Sequence, residues 1–347
     1  MKDANKTKEQ LLRELHKTRK KVAKLEKLES EIQKTNIRAA NLTLLKELLI
    51  GKRALTEKLK SITDSVVYIF EADFARIWMT KDGDLCNKGC IHASVTEGPH
   101  ICRDRSHCLH LMASSGRYTH IDGYHRRVPL GSYKIGRVAS GDDPKFITND
   151  VTHDPQVHDH EWAKNLRLVS FAGYRLLSPD KKPIGVLALF SKDKIHREQE
   201  ALLEDLASTT SQMILVRNME WELNVADAKL QTLFEKSKTP MMFIDEDTKI
   251  IQINNECEKF TGYLKEEVEG KKSWKEFVSK KDDLERMTEY HRLRRIDAES
   301  APQSYEFQFM DKKGQLKDIN VTVEMVDGTK LSLAALQTIH KKNNMKN

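Results

Sequence analysis

Val169-Ser170-Phe171-Ala172-Gly173-Tyr174-Arg175-Leu176-Leu177 and Ile184-Gly185-Val186-Leu187-Ala188-Leu189-Phe190 are short apolar runs of strand length. They read as neighbouring strands. Upstream, Lys145-Phe146-Ile147-Thr148 reads as a further strand, and Asp159 to Leu166 as a short helix with Asp154 or Asp159 placed to cap it. Cys108 to Ser114 reads as another strand. Val66-Val67-Tyr68-Ile69-Phe70 and Ala75-Arg76-Ile77-Trp78-Met79 are β-branched or aromatic, and the second run ends on the turn Lys81-Asp82-Gly83-Asp84. Both are expected to be strands. The order helix, strands, helix, strands, helix implies an α+β domain whose helices flank an antiparallel sheet.

The chain has 347 residues, long for one hydrophobic core, so two domains with connecting helices are expected. Charged residues make up 32% and hydrophobic ones 39%, which fits extensive solvated helix surface. No stretch approaches the roughly 20 apolar residues of a membrane-spanning helix, and the opening Met1-Lys2-Asp3-Ala4-Asn5-Lys6 is too polar for a secretory signal. A cytoplasmic protein with no membrane contact is expected. The net charge is +7, but residues 1–34 alone hold eleven Lys/Arg against six Asp/Glu. That is a solvated helix face; no aromatic or glycine motif for nucleic acid accompanies it.

Outward from the first domain, residues 5–34 carry a heptad, with Leu11, Thr18, Leu25 and Ile32 on one seam position and Leu15 and Val22 on the other. Lys8 and Glu29 also fall in the seam, so a weak coiled coil and a helix packed within its own chain both stand open. Asn36 and Asn41 are read as a break before a second helix over about 42–64. From Leu202 another heptad runs through Leu206, Thr209, Met213, Val216, Leu223, Leu230 and Phe234. A signalling helix shared between domains fits it best; the alternative is a terminal helix packed on its own sheet.

Gly136-Arg137-Val138-Ala139-Ser140-Gly141, Thr148-Asn149-Asp150-Val151 with Asp154-Pro155, Ser170 to Tyr174 and Pro183 to Phe190 together resemble a GAF domain over about 42–217. Pro240 to Asp245, Lys249 to Asn255, Phe260-Thr261-Gly262-Tyr263, Val268-Glu269-Gly270-Lys271, Tyr305 to Phe309 and Asp318 to Val323, with the turn Asp311 to Gly314, resemble a PAS domain over about 228–340. The resemblance implies two antiparallel-sheet sensory domains. The expected division is an N-terminal coiled-coil helix (1–41), a GAF-like domain (42–193) with a Cys-rich insertion (83–108), a signalling helix (194–232), a PAS-like domain (233–340) and a tail (341–347).

Sensor kinases resemble this arrangement upstream, but only nine residues follow the last strand, and no nucleotide loop, nucleophile elbow or His-Glu-x-x-His helix occurs. The chain is therefore expected not to be an enzyme. The unusual chemistry is Cys86-x3-Cys90-x11-Cys102-x5-Cys108, four of five cysteines in one polar loop. An odd count without an export signal argues for reduced thiols. Four thiolates suit Zn²⁺ or an iron–sulfur cluster, although the spacing matches neither zinc fingers nor ferredoxins. Gly83, Gly89 and Gly98-Pro99 let the loop fold back. Buried Cys behaves as a small hydrophobe, a reading that suits Cys108 beside Leu109 and Leu111.

Nine histidines, His92, His100, His107, His110, His120, His125, His153, His158 and His160, fall in the same domain. Haem is thus the rival cofactor, while each histidine taken singly reads as surface or capping. Cys257 lies outside any flavin-photoadduct pattern, and His291, in a charged helix, reads as exposed. The expected function is a cytosolic sensor of redox state, a gas or a small ligand. It acts as a homodimer and signals to a separate kinase or regulator. The class-level alternative is a non-catalytic scaffold with a structural zinc.

Overall fold

The computed structural model describes residues 7–98, 100–141 and 144–339, so Pro99, the first six residues and the 341–347 tail lie outside it. It divides into two compact units, residues 1–220 and 221–347. The first opens with helix α1 (Lys8–Ile50), started by a Thr7 capping box with Gln10. The break expected at Asn36 and Asn41 does not occur. Asn costs a helix only about 0.5 kcal/mol, and Leu42, Leu45 and Leu49 are buried on the far side of it. Their burial at roughly 2 kcal/mol each outweighs that cost. The chain breaks instead at Gly51, whose extended backbone ends α1.

Helix α2 (Leu55–Phe70) corrects a second expectation, because Val66–Phe70 is its last turn and not a strand. Leu59, Ile62, Val66, Ile69 and Phe70 are buried at helical spacing, and this period prevails over the β-propensity of two valines. Glu71 then turns left-handed (φ 54°) and its N–H closes on the Val67 carbonyl.

Six strands follow: β1 (Phe74–Asp82), β2 (His107–Gly116), β3 (Arg127–Pro129), β4 (Lys145–Thr148), β5 (Ser170–Leu177) and β6 (Pro183–Ser191), in sheet order β3-β2-β1-β6-β5-β4. Every pair is antiparallel. Helix α3 (Tyr133–Ser140) lies between β3 and β4, and α4 (His160–Asn165), capped by Asp159, between β4 and β5. Alternation along the strands divides the core in two. Ala75, Ile77, Met79, Leu187 and Leu189 face α1, α2 and helix α5 (Arg197–Lys236). Phe74, Trp78, Val186, Ala188 and Phe190 face α3 and α4.

In α5, Leu203, Leu206, Ala207 and Ile214 pack on the first unit's own sheet, as the alternative to a shared helix anticipated. Beyond them the helix continues unbroken, and the seam residues Val216, Leu223 and Leu230 are 56%, 62% and 65% exposed. The first half of α5 thus packs as a terminal helix, and the second half carries the heptad on into the second unit as one long helix between the two.

The second unit is a five-stranded antiparallel sheet, ordered β8 (Ile250–Ile253), β7 (Met241–Ile244), β11 (Ser332–Thr338), β10 (Leu316–Met325), β9 (Ser304–Met310). Helices α6 (Asn255–Thr261), α7 (Lys265–Val268) and α8 (Lys281–Arg294) accompany it. Its core joins Ile250, Ile253, Trp274, Phe277, Phe309, Ile319 and Val321. Among the described residues no helix is long and apolar enough to cross a membrane.

Candidate functional site

On the α3–α4 side of the six-stranded sheet, two cavities of about 130 and 180 Å³ share Arg76, His125 and Trp162. The strands and helices that build them fix each wall. Phe74 of β1 and Phe190 of β6 stack at 4.9 Å, and Tyr118 and Trp162 meet Phe74 edge-on at 5.1 and 6.1 Å. The Trp162 indole donates to the Tyr118 hydroxyl at 3.3 Å, holding that corner.

Two cations enter this aromatic box. Arg76 donates from Nε to Ser114 Oγ at 3.2 Å and lies 5.2 Å from the Tyr118 ring centre. Lys134, in the first turn of α3, is 4% exposed, with Nζ 4.9 Å from the Phe190 ring and 5.3 Å from Phe171. Among the described residues no carboxylate lies within ion-pair distance of either. Burial, then Arg137, brings the Lys134 ammonium down to about 8. That is about 3 kcal/mol against the charged form. Cation–π contact returns about 1 kcal/mol. Asp159 is the one acid on the wall, and its Oδ1 is occupied in capping Trp162 N at 2.8 Å.

The histidines gather at the same place and correct the surface reading. His125 and His158 are both held near 4, chiefly by burial and then by neighbouring His158 and Lys134 respectively, so both are neutral at pH 7. Tyr133 sits among His100, His158 and His125, at 3.8, 4.8 and 5.5 Å between ring centres. Its φ of 52° is left-handed, a strained state for an aromatic residue. Gly136 is what permits the tight entry to α3, because a Cβ there would meet the Pro129 carbonyl oxygen at 2.2 Å. His92 and His110 are 1% and 7% exposed. His160 and His153 do remain in local roles, on the Asp154 carbonyl and the Asp150 carboxylate.

The four predicted cysteines lie between and on β1 and β2. Cys86, Cys90 and Cys102 are half-buried and Cys108 is buried; all are free thiols. Cys86 Sγ donates to the Arg105 carbonyl at 3.6 Å and Cys102 Sγ to that of Asp104 at 3.2 Å, so two thiols hold adjacent carbonyls of one segment. Burial raises the Cys102 thiol, and Cys86 and Cys90 raise it further. Burial pushes Cys108 up to about 12, with Cys86, Asp84 and Cys90 adding to it. The four are therefore electrostatic neighbours, but among the described residues no three His, Cys, Asp or Glu side chains already form a metal-binding set. Cys257 is buried in the second unit's core and does not join them.

Sequence reasoning passed over Lys134, Arg76 and Trp162. Lys134 directly precedes Ile135 and the Gly136 run, but a lysine in sequence reads as solvated. His291 also departs from expectation. It is half-buried against Trp274, at 5.8 Å between ring centres, and its Nε2 meets the Glu246 carbonyl oxygen at 3.2 Å.

The GAF domain family matches residues 54–214, and the PAS domain family matches residues 238–338. The chain carries a GAF domain followed by a PAS domain. This pairing marks a sensory signalling protein. No curated protein matches the sequence. Among solved structures, the PAS domain of an HTR-like protein from Haloarcula marismortui is 21% identical and covers 35% of this chain and 99% of its own, with a TM-score of 0.29. The GAF domain of an Acinetobacter phosphoenolpyruvate-protein phosphotransferase is 17% identical, covering 53% of this chain and 96% of its own at a TM-score of 0.38. The E. coli DhaR(N)-DhaL complex is 13% identical over 88% of each chain, at a TM-score of 0.43. The GAF pocket and the cysteine loop of this GAF–PAS chain thus lie on one domain, at β1, β2 and α3.

Proposed function

We propose that the GAF domain is the receptor of a cytoplasmic sensor and takes a small organic anion with a flat apolar body in its aromatic box. The signal then passes along α5 to the PAS domain and a separate signalling partner. The observation that carries this reading is Lys134: a buried ammonium with, among the described residues, no carboxylate within ion-pair distance, facing a cavity walled by aromatic rings. An incoming carboxylate offsets the desolvation cost of the cation, and rings and ligand body bury each other. In this reading the chain binds and does not catalyse, and its output belongs to a kinase or regulator. The test is a thermal-shift panel of aromatic and aliphatic carboxylates on the whole chain and on Lys134→Met. Stabilisation by a carboxylate that is lost in the variant supports it; a panel without stabilisation, or one unaffected by the variant, overturns it.

A second reading rests on the mutual influence of the Cys86, Cys90, Cys102 and Cys108 thiols. A shared zinc or iron–sulfur centre would deprotonate thiols that burial otherwise keeps neutral, and would make the loop redox- or metal-responsive. Elemental analysis and an absorption spectrum of anaerobically purified protein separate cluster, zinc and haem. Protein with none of them leaves the anion receptor, or a metal-free scaffold.

A further inference from the structure

The cysteine loop meets the GAF pocket at Tyr133. Two arms of the loop reach this residue, and each carries a histidine two positions from a cysteine: Cys90-Ile91-His92 in the first arm and His100-Ile101-Cys102 in the second. His100 stacks flat on the Tyr133 ring at 3.8 Å, with 9° between the planes, and its Nδ1 accepts the Tyr133 N–H at 3.3 Å. His92 meets the same ring edge-on at 5.5 Å. Tyr133 holds a left-handed φ of 52°, a conformation that persists only while its surroundings impose it. Lys134, the next residue, carries the ammonium that faces the aromatic box.

Hydrogen bonds tie the arms in this packing. Cys86 and Cys102 donate to the carbonyls of Arg105 and Asp104, at 3.6 and 3.2 Å, and Arg105 Nη2 donates to the Ala93 carbonyl at 3.0 Å, joining one arm to the other. The two thiol ties need their S–H protons. A thiol that ligates a metal gives its proton to solvent, and a thiolate cannot donate. Metal capture therefore dissolves both of them. It also demands movement, because a thiolate centre holds each sulfur about 2.3 Å from the ion, and among the described residues no such set is already assembled. An arm that shifts Cys90 or Cys102 carries His92 or His100 with it. The packing that seats Tyr133 and the packing that holds a metal exclude each other, and two exclusive packings are what coupling between sites requires.

We propose that metal capture by the cysteine loop unseats Tyr133 and draws Lys134 out of the GAF pocket, so that a soft divalent metal ion and the organic anion act as antagonists on one domain. By reciprocity each lowers the affinity for the other by the same factor. This coupling rests on the shared metal centre of the second reading, and not on the identity of the anion.

The test is titration of the full chain, reduced and stripped of metal, with Zn²⁺ alone. Zinc uptake is followed by competition with a chromophoric chelator, the Tyr133 amide by hydrogen exchange, and Lys134 by its rate of labelling with an acetylating N-hydroxysuccinimide ester. One zinc per chain is expected, with exchange at Tyr133 and labelling of Lys134 each about tenfold faster in the zinc form. Cys102→Ala should remove this response. His100→Ala should give fast exchange at Tyr133 without zinc, and zinc should add little to it. The wild-type titration decides the matter if either variant fails to fold. Zinc that binds without changing Tyr133 or Lys134 overturns the coupling and leaves the metal centre standing, whereas no zinc uptake overturns both. A zinc response that survives Cys102→Ala comes from an ion bound elsewhere and also overturns the coupling.

Discussion

The side-chain amide of Asn254 donates to the carbonyl of Phe234 at 3.1 Å, tying the last turns of α5 to the start of the PAS helix α6. The same Nδ2 donates to the Thr239 carbonyl at 2.8 Å, and Oδ1 accepts from Met241 N at 3.0 Å and Cys257 N at 2.9 Å. Asn254 is fully buried, so one buried side chain closes four backbone groups. Glu235 adds a second tie through Asn255 N at 3.0 Å and an ion pair with Lys265. A displacement of the α5 terminus must therefore be felt in β7 and α6, as a relay requires.

Replacing Asn254 by Ala leaves several of these groups, buried or half-buried, without their partner. At about 1–3 kcal/mol for each unsatisfied group, partly relaxed, the PAS domain should lose about 3 kcal/mol. Urea unfolding should show the loss in the PAS transition, and hydrogen exchange should quicken at Phe234 to Lys236. Asn254→Asp keeps both acceptor contacts but loses both donors and buries a charge, so it should be no better than Ala. An Asn254→Ala protein with unchanged stability would show that the four contacts are dispensable.

Lys134 gives the GAF pocket a pH signature. Its ammonium, brought down to about 8 by burial, is charged at pH 7 and loses its proton as pH rises through 8. Affinity for an anionic ligand should be flat from pH 6 to 7.5 and fall towards tenfold per pH unit above 8. His125 and His158, held near 4, do not titrate in that range, and Arg76 remains charged throughout. The folded protein without ligand should show the opposite slope, because the folded pKa lies below the unfolded value near 10.5. Between pH 8 and 10.5 the unfolded chain binds more of this proton, so this group's contribution makes stability rise with pH. Calorimetry at four pH values checks the first, and melting curves of wild type against Lys134→Met the second.

If the four thiols hold a metal together, single replacement of Cys86, Cys90, Cys102 or Cys108 by Ala should remove most of it. Cys257→Ala should change metal content not at all, since that thiol sits in the PAS core and only its backbone N–H, which Ala keeps, meets Asn254. It should cost about 1 kcal/mol of PAS stability through the small cavity left. Metal analysis of the five variants is the measurement; equal metal in all five would remove the shared centre.

Most strands of the two sheets were legible in the sequence, because they are short apolar runs punctuated by turns, although the three-residue β3 was not; Asp159 was legible, beside Asp154, as a cap from its place before His160. Val66–Phe70 misled because its β-branched composition and its helical spacing point in opposite directions, and only packing against α1 and α5 decides between them. The pocket was less legible still. Arg76, Lys134 and Trp162 come from three elements far apart in sequence, and nothing local announces that a lysine will be buried.

The last prediction concerns assembly. Along α1, the seam residues Leu11, Leu15, Val22, Leu25 and Ile32 are 43%, 48%, 46%, 63% and 51% exposed, although their spacing is that of a coiled-coil core. A second copy of the chain presenting the same stripe would cover them. A parallel homodimer through this helix is therefore expected, weakened because Lys8 and Glu29 fall in the same seam. Light scattering at micromolar concentration should give twice the monomer mass. Leu25→Glu, which puts like charges face to face at the middle of the seam, should return the monomer without shifting the GAF melting transition, since Leu25 lies outside that core. Lys8→Leu with Glu29→Leu should act in the other direction and tighten the dimer at least tenfold, because two polar seam layers become apolar. A wild type that stays monomeric, together with a double variant that is no better, would show that α1 does not pair with itself and that its apolar stripe has another occupant.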